Sequence, residues 1–307
     1  VSKQTSFSRV RAWLELARVS NLPTVWTNVV AAWVLAGGGL GDARLLWLLP
    51  GAALFYCAGM ILNDAADARH DAAHRQERPL PSGRVSRVAA WLAGGGCLVG
   101  GVLFFVIGAG AALWWTLALA AAILFYDAYH KPWAGSVLVM GACRTLLYLA
   151  AASVLVDDVV SQPLLVLFAL ALGFYIVGLT LIARAEARGG FGSRWVAILA
   201  MLALFAPALA AMASVFINQA ADPLWRLGDM RPLAAWLLVP VFVIWVVNAL
   251  KVMRGGGPHI GRAVGLLLAG IAVVDGVAVA TVSLPLGCAF VALAPLLRLW
   301  QRWIAAT

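Results

Sequence analysis

The sequence predicts an all-α integral membrane protein, on three observations. Mean hydropathy is +0.94, with 64% hydrophobic and 11% charged residues, where soluble domains carry about 25% charged residues. Apolar runs of roughly 17–25 residues, each long enough to cross a bilayer, recur along nearly the whole chain. The runs are solidly apolar, not alternating, and backbone groups in lipid must bond internally, so helices are predicted over a β-barrel. The formal charge of +9 collects in one set of loops. That pattern fits a membrane protein with a positive inner face and argues against nucleic acid as a partner.

Residues 1–20 carry Lys3, Arg9, Arg11 and Arg18 around Trp13, Leu14 and Leu16, the pattern of an interfacial helix lying on an anionic leaflet. Residues 21–307 form the transmembrane domain. Its first span covers about Asn21 to Gly39 and opens on the polar stretch SNLPTVWTNVVAAW. Asn28 in that span either bonds a neighbouring helix or lines a cavity. Span two runs from about Leu45 to Leu62, and a polar loop of about 25 residues to Arg87 follows. Spans three and four cover Val88 to Gly108 and Ala111 to Tyr126. Span five, Gly135 to Leu155, holds Arg144 well inside the apolar run. An arginine at that depth is costly, and is either functional or half of an interhelical ion pair with Asp127.

Span six covers Pro163 to Ala183, span seven Trp195 to Ile217, span eight Leu233 to Leu250 and span nine Ala263 to Val282, with Asp275 inside the last. A final run, Leu286 to Trp300, is either a tenth span or an interfacial helix. With the N-terminus inside, the outer loops hold only Arg44, Arg226 and Arg231 beside Asp42, Asp157, Asp158, Asp222 and Asp229. The other loop lysines and arginines fall on the inner side, so that face is read as cytoplasmic, in a bacterial-type inner membrane. Polar clusters follow spans two and four, and again six and eight, the pattern of two four-helix pseudo-repeats. No cleavable leader is expected at the basic N-terminus. Cys57, Cys97, Cys143 and Cys288 lie in apolar runs without CxxC spacing, which reads as packing.

The densest polar chemistry is Leu62–Arg87, LNDAADARHDAAHRQERPLPSGRVSR. Asp64, Asp67 and Asp71 follow Asn63 at spacings of three and four, which return to one helix face. Arg75, Arg78, Arg84 and Arg87 follow. The bland reading is a solvated helix. The sharper one is a divalent-metal site holding a phosphate, because Mg²⁺ takes one or two carboxylates and leaves room for phosphate oxygens.

These residues resemble the UbiA superfamily of intramembrane prenyltransferases. NDAADARHD fits the family's NDxxDxxxD motif, RPLPSGRVS resembles its RP(I/L)xSGxxS continuation, and YDAYHK, residues 126–131, resembles its tyrosine–lysine element. The resemblance implies nine helices around a central cavity, and Mg²⁺ ions holding a prenyl diphosphate donor near a lipophilic or aromatic acceptor. It implies Asn63, Asp64, Asp67 and Asp71 as metal or diphosphate residues. Arg78, Arg84 and Lys131 would be diphosphate contacts, and Tyr126 would stand near the reacting carbon. Diphosphate leaves as an anion, which metal and basic groups stabilise, and the allylic cation left behind needs a dry aromatic wall.

One departure is plain. The family's second Asp-rich segment, after span six, is replaced by TLIARAEARGG, with Glu186 its only carboxylate. Glu186 is the remaining metal-ligand candidate there, and Arg184 or Arg188 takes over the lost metal's charge. The pattern resembles the divergent branch found in bacterial Ebo-type operons. Three function classes are therefore weighed. The first is a Mg²⁺-dependent prenyltransferase, with Arg144 and Asn28 orienting the acceptor. The second is a lipid-binding or transport protein that keeps the fold and has lost the chemistry. The third, a CDP-alcohol phosphotransferase-like enzyme, lacks its DGxxAR signature.

Overall fold

The computed structural model describes residues 10–130, 133–187, 190–221, 231–256 and 258–301. Among them the chain is helical, with no strand. Residues 10–16 form a short helix, α1, which a 3₁₀ turn at Val19–Asn21 joins to α2, Leu22–Leu35. Then follow α3 (Leu45–His74), α4 (Arg87–Leu103), α5 (Leu113–Tyr129), α6 (Ser136–Ala152) and α7 (Pro163–Ala187). The second half holds α8 (Arg194–Leu204), α9 (Ala206–Ala221), α10 (Arg231–Met253), α11 (Pro258–Ala269), α12 (Ile271–Ala280) and α13 (Leu284–Trp300).

Among the described residues five helices are long and apolar enough to cross a membrane, and the bent pair α8–α9 makes six, as expected of a multi-pass membrane protein. The helices α5, α6 and α13 are apolar but only 17 residues each, about 25 Å at 1.5 Å per residue. The first expected span is shorter than its apolar run: α2 has 14 residues. Gly37, at φ +88°, turns the chain out of the helix, and the Trp33 indole N–H donates to the Gly39 carbonyl at 3.0 Å.

The second span is longer than expected. The helix α3 runs 30 residues to His74, so the acidic motif is its last three turns and the polar loop contracts to residues 75–86. Alanine-rich spacing allows this: Ala65, Ala66, Ala68, Ala72 and Ala73 are strong helix formers. The seventh span is broken by 45° between Leu204 and Ala206. Pro207 has no N–H with which to continue the α8 ladder. The ninth is interrupted at Gly270, where Tyr175 and Trp245 donate to the carbonyls of Leu267 and Leu266 at 2.8 Å each. Those donors are what a disturbed ladder needs in a medium without water.

One apolar core joins α2 with α6, α7, α10 and α12, around the fully buried Trp33, Tyr148, Phe168, Tyr175 and Phe242. Lipid tails are as apolar as leucine, so helices here associate through close backbone approach. The helices α12 and α13 meet at Gly276 and Gly287, where a Cβ on Gly276 would lie 2.8 Å from the Gly287 carbonyl oxygen. The helices α2, α6 and α12 are mutual or near neighbours, so the first and last parts of the chain close on one another.

Candidate active site

The carboxylates sit where α3 leaves its apolar surroundings. Asp64 and Asp71 are 5% and 4% exposed, so neither is the solvated charge of the bland reading. A buried charge must be paired. The loop 75–86 supplies the pair by folding back: Arg78 donates to Asp71 at 2.7 Å and reaches Asp64 at 3.5 Å. Val85 N–H closes this loop on the Pro79 carbonyl, and Gly83, at φ +72°, makes its turn. Arg87 donates to the Ala65 carbonyl at 3.2 Å.

A second guanidinium arrives from the N-terminal segment. The helix α1 packs Ala12 and Leu16 against Ile61, Ala65, Val85 and Ala90, which joins α3, the loop and α4. Arg18 then donates to Asp64 at 3.1 Å. Arg18 has φ 45° and ψ 48°, and among the described residues it is the one non-glycine with positive φ. That left-handed backbone is costly for a side-chain-bearing residue, and such strain gathers at functional positions. The Tyr56 hydroxyl holds it by donating to the Arg18 carbonyl at 3.1 Å. Arg84 donates to Glu15 at 2.8 Å. Glu15, Arg18, Asp64, Arg75, Arg78 and Arg84 thus line one polar cleft of about 310 Å³.

The other side of the motif meets α5. Asp67 pairs with the His130 ring at 3.2 Å. The Asn63 amide N–H₂ donates to Asp127 at 3.2 Å. The second Asp127 carboxylate oxygen, Oδ2, is buried and has no hydrogen-bond partner among the described residues. Tyr126 stacks on the His130 ring at 5.3 Å. Arg184 donates to the Ser136 hydroxyl at 2.7 Å and to the His130 and Ala134 carbonyls at 3.1 and 3.0 Å. It fixes the turn after α5, and its charge lies close to the Tyr126 hydroxyl.

Beneath this layer, between α2, α3, α5 and α6, lies a largely apolar cavity of about 90 Å³, walled by Phe55, Leu119, Ile123 and Leu147. That is room for on the order of three waters. Tyr126 and Asp127 line its upper part, and Arg144 lines it as well. The sequence left open an Arg144–Asp127 ion pair, and the structure corrects it. Arg144 donates to the Asn28 amide oxygen at 2.6 Å, and Asn28 donates to Asp275 at 2.7 Å. Asn28 is fully buried, and both ends of its amide are engaged.

Of the residues singled out from sequence, Asn63, Asp64, Asp67, Asp71, Arg78, Arg84, Tyr126 and Arg184 lie in this one region, with Arg144 and Asn28 deeper. Lys131 and the Glu186 side chain lie outside the described residues. Sequence reasoning missed Arg18, His130 and the site role of Asp127. Arg18 was hidden among ordinary basic interfacial residues. His130 and Asp127 sit inside YDAYHK, and helical spacing from Tyr126 was the available signal.

The donor set suits a hard cation. Asn63, Asp64, Asp67, Asp71 and Asp127 offer oxygens, and the unpartnered buried Asp127 oxygen lacks the positive neighbour that an ion would provide. Among the described residues no three carboxylate, histidine or cysteine groups converge on one point. The counter-charge is held by Arg18 and Arg78 instead, and the His130 ring hydrogen-bonds Asp67.

Comparison with known proteins bears on the fold and the family. Digeranylgeranylglyceryl phosphate synthase of Methanopyrus kandleri is 42% identical over 94 residues, 30% of this chain and 34% of its own. Protoheme IX farnesyltransferase of Synechococcus sp. (strain CC9605) is 30% identical over 141 residues, 43% of this chain and 42% of its own. The chain therefore spans about a third to two fifths of the length of these curated relatives. A UbiA homologue from Archaeoglobus fulgidus, solved with DMAPP and Mg²⁺, superposes with a TM-score of 0.57 at 16% identity, over 86% of this chain and 98% of its own. A homologue from Aeropyrum pernix K1 gives 0.59 at 16% identity, over 84% and 96%. These likenesses support the fold. The model of the UbiA prenyltransferase family matches residues 24–259, a stretch that holds the acidic motif, its arginine loop and the Tyr126 element, and on that match the chain belongs to this family.

Proposed function

We propose that this protein transfers an isoprenyl group from a prenyl diphosphate to a lipophilic or aromatic acceptor within the membrane, with Mg²⁺. The observation that carries the reading is the buried carboxylate–arginine layer set directly over an apolar cavity. Asn63, Asp64, Asp67, Asp71 and Asp127 would hold the ion, with Glu186 the remaining candidate on α7. The chemistry that bound Mg²⁺ supplies is to offset the charge growing on the departing diphosphate.

The chain's own groups do the rest. Arg78, Arg84 and Arg18 would meet the diphosphate, with Lys131 a further contact on the strength of its motif alone, so that the C1–O bond breaks with its electron pair going to the leaving group. Tyr126 presents a ring to the allylic carbon. The acceptor forms the new bond to C1 and loses a proton, and the cavity walls keep water from trapping the cation. Arg184 keeps the turn after α5 in register, and Arg144 and Asn28 orient the acceptor. We read the architecture as nine crossings in two four-helix pseudo-repeats, with α13 a tenth crossing or an interfacial helix. Residues 1–20 form an interfacial segment, and the site faces the cytoplasm of a bacterial-type inner membrane.

A second reading rests on TLIARAEARGG, where the family's second acidic motif is missing: a protein that binds prenyl lipid and does not turn it over. One experiment addresses both. Purified protein in nanodiscs is titrated with geranyl diphosphate and Mg²⁺, and then with the ion chelated. Binding that needs Mg²⁺ and is lost in Asp64→Ala and Asp67→Ala supports the site, and unchanged binding in both variants refutes it. Binding without product across a panel of lipid and aromatic acceptors favours the second reading.

A further inference from the structure

His70 and His74 stand in the closing turns of α3, and neither the carboxylate layer nor the cavity uses them. Both are exposed and lie four residues apart, the spacing that sets two side chains on one helix face. Their ring centroids are 4.4 Å apart, with 21° between the planes. Asp64 and Asp71, by contrast, are buried and held by Arg18 and Arg78. The imidazoles therefore stand in water, outside the carboxylate cluster.

The His74 ring is already set for one task. Its Nδ1 lies 3.0 Å from the His70 carbonyl oxygen. A carbonyl only accepts, so Nδ1 carries the hydrogen and Nε2 keeps its lone pair. Metal-bound histidines almost always show this arrangement, with one ring nitrogen donating to an oxygen and the other binding the ion. An ion about 2.0–2.1 Å from two Nε2 atoms needs them about 3.3 Å apart in a tetrahedral site. Rings stacked at 4.4 Å reach that separation by turning about χ2, a soft torsion in histidine. Water completes the coordination at an exposed position. The helix C-terminus adds its partial negative charge, which favours a cation there. Arg69 and Arg75 flank the pair, but both are exposed, so water and salt screen their repulsion.

Imidazole suits Zn²⁺, Cu²⁺ and Ni²⁺, whereas Mg²⁺ takes oxygen ligands. We propose that His70 and His74 chelate a divalent transition ion of the Zn²⁺ and Cu²⁺ class, and that the ion staples the last turn of α3. The site is separate from the Mg²⁺ site and stands whether or not the chain transfers prenyl groups. A helix end leaves its last carbonyls without intrahelical partners and frays. Bridging two residues four apart fixes that turn, and with it the backbone that carries Asp71.

The test titrates Zn²⁺ by calorimetry into the full chain, free of any histidine tag, in neutral-lipid nanodiscs with Mg²⁺ in excess. Wild type is expected to bind one Zn²⁺ per chain. His70→Gln and His74→Gln, both at exposed positions that do not threaten the fold, are each expected to weaken binding at least about tenfold. That is the lower end of what removing even a ligand's hydrogen-bond partner costs. The double variant is expected to bind no more weakly than either single one, because a chelate fails when one arm is lost. Combining His74→Gln with Ala72→His keeps two histidines but faces them apart, and is expected to bind like the single variants. Asp64→Ala is expected to bind Zn²⁺ as wild type does. Hydrogen exchange at the amides of residues 71–75 is expected to slow with Zn²⁺ in wild type and not in His74→Gln. The chelate is overturned by absence of binding in wild type, by additive losses in the two single variants, or by wild-type affinity in the displaced pair. Loss in Asp64→Ala also overturns it, by placing the ion on the carboxylates. Unchanged exchange in Zn²⁺-bound wild type overturns the staple.

Discussion

The two polar layers of this molecule pair the same residue types in opposite ways. At the end of α3, arginine and aspartate touch directly: Arg78 meets Asp71 at 2.7 Å and Arg18 meets Asp64 at 3.1 Å. In the interior, Arg144 and Asp275 are separated by Asn28, with 2.6 and 2.7 Å contacts on either side. The outer layer draws its cations from the loop 75–86 and from the turn after α1. The inner layer draws all its members from α2, α6 and α12, which pack against one another, so its charge positions are fixed before any ligand enters. Direct pairs at the helix end neutralise charge on the spot, and a spaced pair on packed helices suits pre-organisation.

The largest expected effect falls on the inner layer. Asp275→Ala strands Arg144 without its compensating charge, and should cost about 3–5 kcal/mol, read as a drop in melting temperature in detergent. A loss below about 1 kcal/mol would mean that the inner pair is not coupled. Next, Asp64→Ala should weaken Mg²⁺-dependent geranyl diphosphate binding on the order of a hundredfold, as expected for removing a charged ligand. Calorimetry measures it, and chelation of the ion should have a similar effect on wild type. Third, Gly276→Val puts a Cβ 2.8 Å from the Gly287 carbonyl oxygen with two methyls beyond it, and the overpacking should cost about 1–3 kcal/mol with donor binding retained. The smallest effect is expected at Glu15→Gln. Its pairs with Arg11 and Arg84 are largely exposed, so stability should move by about 0–1 kcal/mol. The readout that matters there is donor affinity, which should rise as Arg84 is released toward the cleft.

Much of this was legible in the sequence, because it is local. Hydrophobic run length gave most of the helices, and NDAADARHD gave the carboxylates at one-face spacing. What was not legible is long-range. Arg18 and Asp64 are 46 residues apart, and Asn28 and Asp275 are 247 apart, and no periodicity relates them. The ion-pair alternative for Arg144 named Asp127 because charge alone suggests the partner, whereas the fold put an amide there. The motif read as a loop helix because hydropathy falls after Leu62, though helix propensity does not, and α3 continues to His74.

That continuity has a mechanical consequence. Pro50, Tyr56 and the three aspartates share one unbroken rod of 30 residues, about 45 Å long. With no linker between its ends to absorb a change of tilt, a bilayer that thins or thickens swings the rod as a lever. The carboxylate-bearing tip is thereby tied to the lipid at the far leaflet through the helix itself.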